Sequence, residues 1–320
     1  MTFLYIIFLV IVFLISAVLL TAYICFRMAF YDSRRKKTEE GEFLLPDGEI
    51  YKAYNDIMCN WAKETKGSEK EEVSITSFDG LTLVGKYYEY KKGAPIELMM
   101  HGYRGRAERD LCGGVQRCFK LGRNALIIDQ RACGKSEGKV ITFGINEMRD
   151  CLSWIDFIIN HFGKDTKIIL TGISMGASTV LMAAGEKLPQ NVVGVLADCG
   201  FTDAKTIIKK TIRDMKLPAN LLYPFVRLGA RLYGKFNVEE NSAIEAVKNC
   251  TLPVIFFHGE ADDFVPCDMS KENYTACASP KKLITVPGAG HGLSYPVNQK
   301  SYLEAVADFF TSNGIETHIV

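Results

Sequence analysis

Apolar and polar positions follow three different rhythms along this chain. From Phe3 to Phe26 there is no charged residue, and Leu, Ile, Val and Phe dominate. An uninterrupted apolar run of about 20 residues matches a bilayer-crossing helix. A core helix of that length would show a polar face, which this run lacks. Ile50, Tyr54, Met58 and Trp61 or Ala62 then recur at helical spacing, which predicts an amphipathic helix. From Val73 the pattern shortens. "VSITSF" and "LTLVGKYYEY" flank Asp79-Gly80 as a hairpin. "IELMM", "ALIID", "KIILT", "VVGVLAD", "PVIFF" and "KLITV" follow as apolar runs, most of them separated by helical patterns. Such alternation predicts an α/β fold with a doubly wound, mostly parallel sheet and an antiparallel start.

The rhythm implies a division into a membrane segment at 1–27, a linker at 28–70 and a main domain at 71–320. Residues 201–248 carry no strand-like run. Ile208, Ile212 and Met215 step at helical spacing there, followed by Pro218, Pro224 and an apolar-basic stretch from Leu221 to Leu232. A simple crossover does not need that much chain, so a small helical cap over the strand ends is expected.

Composition changes this picture little. Of 320 residues, 48% are hydrophobic and 23% charged, a globular balance. The net charge of +1 gives no electrostatic case for binding nucleic acid. A cleaved leader is the alternative to a retained anchor. It calls for a basic start and a small-x-small cleavage site; no basic residue precedes Phe3 and no clean site follows. Arg27 and the run Arg34, Arg35, Lys36, Lys37 follow the apolar segment, so the main domain is expected on the cytoplasmic side. The ten cysteines are scattered, which fits a reducing compartment.

The candidate chemistry begins at Gly172-Ile173-Ser174-Met175-Gly176. Alone, G-x-S-x-G is a weak signal. Here it lies directly after an apolar strand and before a small-residue helix, where a sharp turn would lift the serine hydroxyl above the sheet. A serine hydroxyl needs a base. Of five histidines, His291 lies in "GAGHG" between the last strand and the last helix, late in the chain as the order Ser, acid, His requires. His161 ends a helix, His318 lies in the tail, and His258 closes a strand as a structural residue. The acid must orient the imidazole and stabilise its cation. Glu260, Asp262 and Asp263 follow "PVIFF", and Asp262 is best placed on that loop; Asp263, and more weakly Asp198, are the alternatives. Asp129 precedes the serine and is expected to brace the loop "DQRACGKSEG". Backbone donors for an oxyanion are expected from Met175 and from Tyr103 in "HGYRG".

Taken together, "HGYRG", "DQRACGKSEG", "GISMG", "HGEADDFVP" and "GAGHG", in that order, resemble the α/β-hydrolase superfamily from about Val73 to the C-terminus. Within it, the "DQRACGKSEG" loop and compact cap resemble membrane-anchored Bem46-like serine hydrolases, and similar loops occur in acyl-aminoacyl and prolyl-oligopeptidase-like peptidases. The resemblance implies a Ser174–Asp262–His291 triad with Tyr103 and Met175 as oxyanion donors, and neither metal nor organic cofactor. Serine at position 174 separates the chain from dienelactone hydrolases, which carry cysteine.

Three functions follow. One is an esterase-type serine hydrolase acting on a small-molecule or lipid-like acyl ester or thioester, held to the membrane by its N-terminal helix. The second is a serine peptidase on short or acylated peptides; the large gating domain usual in that class has no matching segment here. The third is a non-catalytic scaffold on a hydrolase fold, which predicts a missing triad member.

Overall fold

A computed structural model describes residues 2–32 and 48–320. The basic run at 34–37 lies outside the described residues. Eight strands form one sheet: β1 (Glu71–Thr76), β2 (Thr82–Tyr88), β3 (Ile96–Met100), β4 (Asn124–Ile128), β5 (Ile168–Ile173), β6 (Val192–Asp198), β7 (Val254–Gly259) and β8 (Lys281–Val286). Their spatial order is β1-β2-β4-β3-β5-β6-β7-β8. β1 and β2 pair antiparallel, β2 joins β4 antiparallel, and every other pairing is parallel. This is the doubly wound α/β sheet expected from the alternating pattern. β3, β4 and β7 are buried along their whole length, so they read as continuous apolar runs.

One acidic residue interrupts those runs. Glu97 on β3 is fully buried. It accepts from Arg117 Nη2 at 2.5 Å, Arg123 Nη1 at 2.6 Å and Thr171 Oγ1 at 3.0 Å. Burial raises its pKa, but the two guanidiniums outweigh that and hold it down at about 2.

The N-terminal helix, Thr2–Ala29, divides into two parts. Residues 2–20 are exposed, with Phe8 at 59% and Phe13 at 71%, whereas Phe26 is 4% and Phe30, just past the helix, 0% exposed. Phe26 and Phe30 belong to the main core cluster. Burying each side chain contributes about 1.5–3 kcal/mol by transfer from water. The outer part is apolar on all sides and is the one segment among the described residues long and apolar enough to cross a membrane.

The segment expected as a cap contains helices Ala204–Asp214 and Ala219–Leu232. The second lies along the N-terminal helix. Gly229 makes that approach possible: a β-carbon there would stand 2.3 Å from the Ala22 carbonyl oxygen. Tyr233, just beyond this helix, donates its hydroxyl to Leu19 O at 3.1 Å. The first cap helix faces the strand ends, where Ile207 packs in one cluster with Met175 and Val265.

The amphipathic linker helix spans Asn55–Gly67, preceded by a 3₁₀ turn at Glu49–Tyr54. Met58, Trp61 and Ala62 are buried against the main domain, so this segment is part of its body.

Candidate active site

Ser174 stands at the junction of β5 and the helix Met175–Ala184 with φ 55° and ψ −122°, a strained conformation for a residue with a side chain. The two flanking glycines explain how the turn closes. A β-carbon on Gly172 would lie 2.2 Å from the Gly176 carbonyl carbon, and one on Gly176 would lie 2.0 Å from Met100 O. The Ser174 N–H donates to Asp198 O at 2.8 Å, which fixes the turn on the neighbouring strand end.

His291 reaches the serine from the loop after β8. Its Nε2 is 2.9 Å from Ser174 Oγ and its Nδ1 is 2.7 Å from Asp262 Oδ2. A carboxylate accepts only, so Nδ1 carries the proton and Nε2 is free to accept from the serine hydroxyl. Asp262 Oδ1 accepts the N–H groups of Phe264 at 3.0 Å and Val265 at 2.8 Å. Burial raises the Asp262 pKa, but hydrogen bonds from His258, His291 and Val265 prevail and hold it well below the usual carboxylate range. The group is therefore an anion beside the imidazole.

The other candidates make other contacts. Asp263 is exposed, and its carbonyl accepts from Lys210. The Asp198 carboxylate accepts from Ser294 Oγ at 2.7 Å and Tyr302 OH at 3.3 Å. Glu260 accepts from Thr285 Oγ1 at 2.6 Å. His161 pairs with Glu71 and His318 with Glu316, both exposed. Asp129 braces its loop, accepting from Ala107 N at 3.0 Å and Lys135 N at 2.9 Å.

The loop after β3 comes to the serine from the other side. A β-carbon on Gly102 would lie 3.4 Å from Ser174 Cβ, so Tyr103 follows at the edge of the site. His101 holds the loop: its Nδ1 donates to Gly102 O at 2.7 Å and its Nε2 accepts from Gln130 N at 3.0 Å.

Sequence reasoning read His258 as structural but missed its link to the acid, and it missed other neighbours altogether. His258 is fully buried; its Nε2 donates to Val265 O at 2.8 Å and stands 3.3 Å from Asp262 Oδ2. Its closeness in sequence to Asp262 was the available signal. Cys199 places its sulfur within 4.8 Å of Asp262 and His291, and burial, then Asp198 and Asp262, hold the thiol protonated. Ser174 and His291 open into a cavity of about 410 Å³. Its apolar wall includes Met58, Trp61, Leu111 and Tyr295, so the N-terminal segment supplies part of it. Tyr51 donates to His291 O at 3.0 Å, and burial, with Cys199, Asp110 and Asp262, pushes its hydroxyl up to about 12.

A hydroxyl, an imidazole of fixed tautomer and a buried carboxylate in series form the geometry that activates a serine for acyl transfer. Comparison with known proteins agrees at the family level. Residues 142–314, more than half of the chain, match the prolyl oligopeptidase family. This chain belongs to the prolyl oligopeptidase family. It is a serine hydrolase of the α/β class. The family match spans Ser174, Asp262 and His291 and begins after the 101–105 loop. The uncharacterised protein YqkD of Bacillus subtilis is 30% identical over 190 residues, 59% of this chain and 62% of that protein, so the chain spans less than two thirds of that relative. Protein bem46 of Schizosaccharomyces pombe is 25% identical over 257 residues, 78% of this chain and 79% of its own length. Among solved structures, a Pyrococcus furiosus esterase superposes with a TM-score of 0.64 at 23% identity, covering 79% of this chain and 94% of its own. A Pyrococcus horikoshii acylaminoacyl peptidase does so with a TM-score of 0.56 at 16% identity, covering 79% and 43%. At such identities these structural likenesses carry the fold alone.

Proposed function

We propose that this family member hydrolyses carboxylic esters or thioesters of small-molecule or lipid-like acyl groups through an acyl-enzyme on Ser174. The hydrogen-bonded series Ser174–His291–Asp262 at the mouth of the cavity carries this reading. His291 Nε2 takes the hydroxyl proton as Ser174 Oγ attacks the acyl carbonyl. Asp262 stabilises the imidazolium that forms and keeps Nδ1 protonated. The backbone N–H groups of Met175 and Tyr103 serve the developing oxyanion. His291 then gives its proton to the leaving oxygen or sulfur, and water attacks the acyl-enzyme by the reverse route.

The apolar cavity wall supports an acyl rather than a strongly polar substrate. The N-terminal helix supports a single-pass anchor, with the domain beside the bilayer on its cytoplasmic side. A cleaved leader fits less well, because cleavage after the apolar run would remove Phe26 from the core.

Peptide hydrolysis is the second reading, favoured by the family match and by the acylaminoacyl peptidase neighbour. A panel of p-nitrophenyl esters, acyl thioesters and acylaminoacyl amides separates the two. We expect esters and thioesters to turn over with kcat/KM at least ~100-fold above the amides, a difference of about 2.7 kcal/mol. Preferential amide cleavage would replace the first reading with the second.

A further inference from the structure

The loop that faces Ser174 is tied to the end of the membrane helix. Tyr103 donates its hydroxyl to Ala29 O at 2.7 Å. Arg104 Nη2 donates to Met28 O at 2.8 Å and Tyr31 O at 3.2 Å. The last carbonyls of a helix have no intrahelical partner, and a cation there also meets the negative end of the helix dipole. Tyr103 and Arg104 supply both.

The tie is rigid on each side. Arg104 has φ 53°, a left-handed conformation that a side-chain-bearing residue rarely adopts, and its guanidinium lies 4.9 Å from the Tyr103 ring. On the helix side, Ile141 N donates to Phe30 O at 2.8 Å and Asp32 N to Lys139 O at 2.9 Å. Phe143 joins the two sides, with its ring 5.7 Å from Phe30 and 5.0 Å from Tyr103. Gly229 against Ala22 sets the position of the helix itself.

We propose that the N-terminal helix is a positioning element of the catalytic site: its C-terminal turn, through Tyr103 and Arg104, sets the oxyanion side of the pocket. The proposal rests on Ser174 being the nucleophile and the 101–105 loop being the oxyanion side. Tyr103 and Arg104 side chains are positioning residues, since the donor itself is a backbone N–H. A shift of the helix would then move that donor while leaving the serine and imidazole in place.

The test uses the full chain in detergent micelles, with a p-nitrophenyl ester and a trifluoromethyl ketone, which forms a tetrahedral oxyanion adduct with an activated serine. Tyr103→Phe removes one tie and keeps the ring and the backbone. We expect kcat to fall about tenfold with KM within about twofold, since small misplacements of catalytic groups cost this much or more. Ketone affinity should fall in parallel with kcat. Gly229→Ala, remote from the serine, forces the helix away from Ala22 O and should give the same split. Arg104→Lys, which retains a donor, should keep more activity than Arg104→Met. Unchanged kcat and ketone affinity in both Tyr103→Phe and Gly229→Ala, with only a lowered Tm, would overturn the proposal and leave the ties as packing. Ser174→Ala separates the two levels. If it retains turnover, the nucleophile assignment fails. If it is inactive while Tyr103→Phe and Gly229→Ala are normal, only the positioning role fails.

Discussion

The indole of Trp61 stacks on the ring of Tyr295, with centroids 5.2 Å apart and planes 21° from parallel. Trp61 belongs to the segment between the N-terminal helix and the sheet; Tyr295 lies four residues after His291. The stack closes one wall of the cavity beside the candidate nucleophile. Trp61→Ala should destabilise the chain by about 3–5 kcal/mol, the usual cost of deleting a large buried aromatic. It should also raise KM for long acyl esters more than for acetate. Chemical denaturation and a chain-length series of esters check both. Equal KM changes across the series would show that Trp61 contributes stability alone.

The two halves of the N-terminal helix should behave differently on truncation. Residues 2–18 are exposed, so a chain starting at Leu19 should keep its Tm within a few degrees while losing membrane association. A chain starting at Asp32 loses Phe26 and Phe30 from the core and should lose several kcal/mol of stability, on the order of 1.5–3 for each side chain by transfer alone. Thermal melts and flotation with lipid vesicles measure the two effects. Equal stability of both truncated chains would contradict the integral role of the helix end.

Asp262 and Asp263 are neighbours in sequence with opposite environments. Asp262 is buried and bonded to His291, whereas Asp263 is exposed. Asp262→Asn should lower kcat by on the order of 10³–10⁴, because the amide favours the wrong imidazole tautomer. Asp263→Asn should stay within about threefold of the parent, as surface changes do. Steady-state kinetics on one ester decides it, and a larger loss at Asp263 would move the acid.

These residues also show what the sequence could reveal. The strands of the sheet centre were legible because burial on both faces writes them as predominantly apolar runs. The serine turn was legible because Gly172 and Gly176 are required by backbone contacts within a few residues of Ser174 or with the adjoining strand. Asp262 and His291 were legible from loop position and order. The ties from Tyr103 to Ala29 and from Trp61 to Tyr295 were not, because they join segments distant in sequence without any local pattern. Glu97 was visible as a lone acid in an apolar run, but its two arginine partners lie outside any periodicity. The segment of the second cap helix was legible as part of a helical cap, while its packing against the N-terminal helix was not.

Glu97 makes the fold sensitive to acid in a defined direction. Its pKa falls from 4.5 to about 2 on folding. A carboxylate lowered in this way stabilises the fold fully above its unfolded value and loses that contribution as pH falls toward its folded value. Glu97→Gln should cost about 3–5 kcal/mol near neutral pH, because it leaves Arg117 and Arg123 without their buried counter-charge. The difference between parent and variant should be flat above the unfolded pKa and narrow as pH falls from 4.5 toward about 2. Denaturation across that range measures it, and a gap that stays constant at low pH would contradict the assignment.

The most direct test of the central claim is labelling with a fluorophosphonate probe, which forms a covalent bond only with an activated serine. The intact chain should label stoichiometrically, with the adduct mapping to Ser174. Ser174→Ala should abolish labelling, and His291→Ala should slow it by orders of magnitude. Failure of the intact chain to label, or undiminished labelling of Ser174→Ala, would contradict the account.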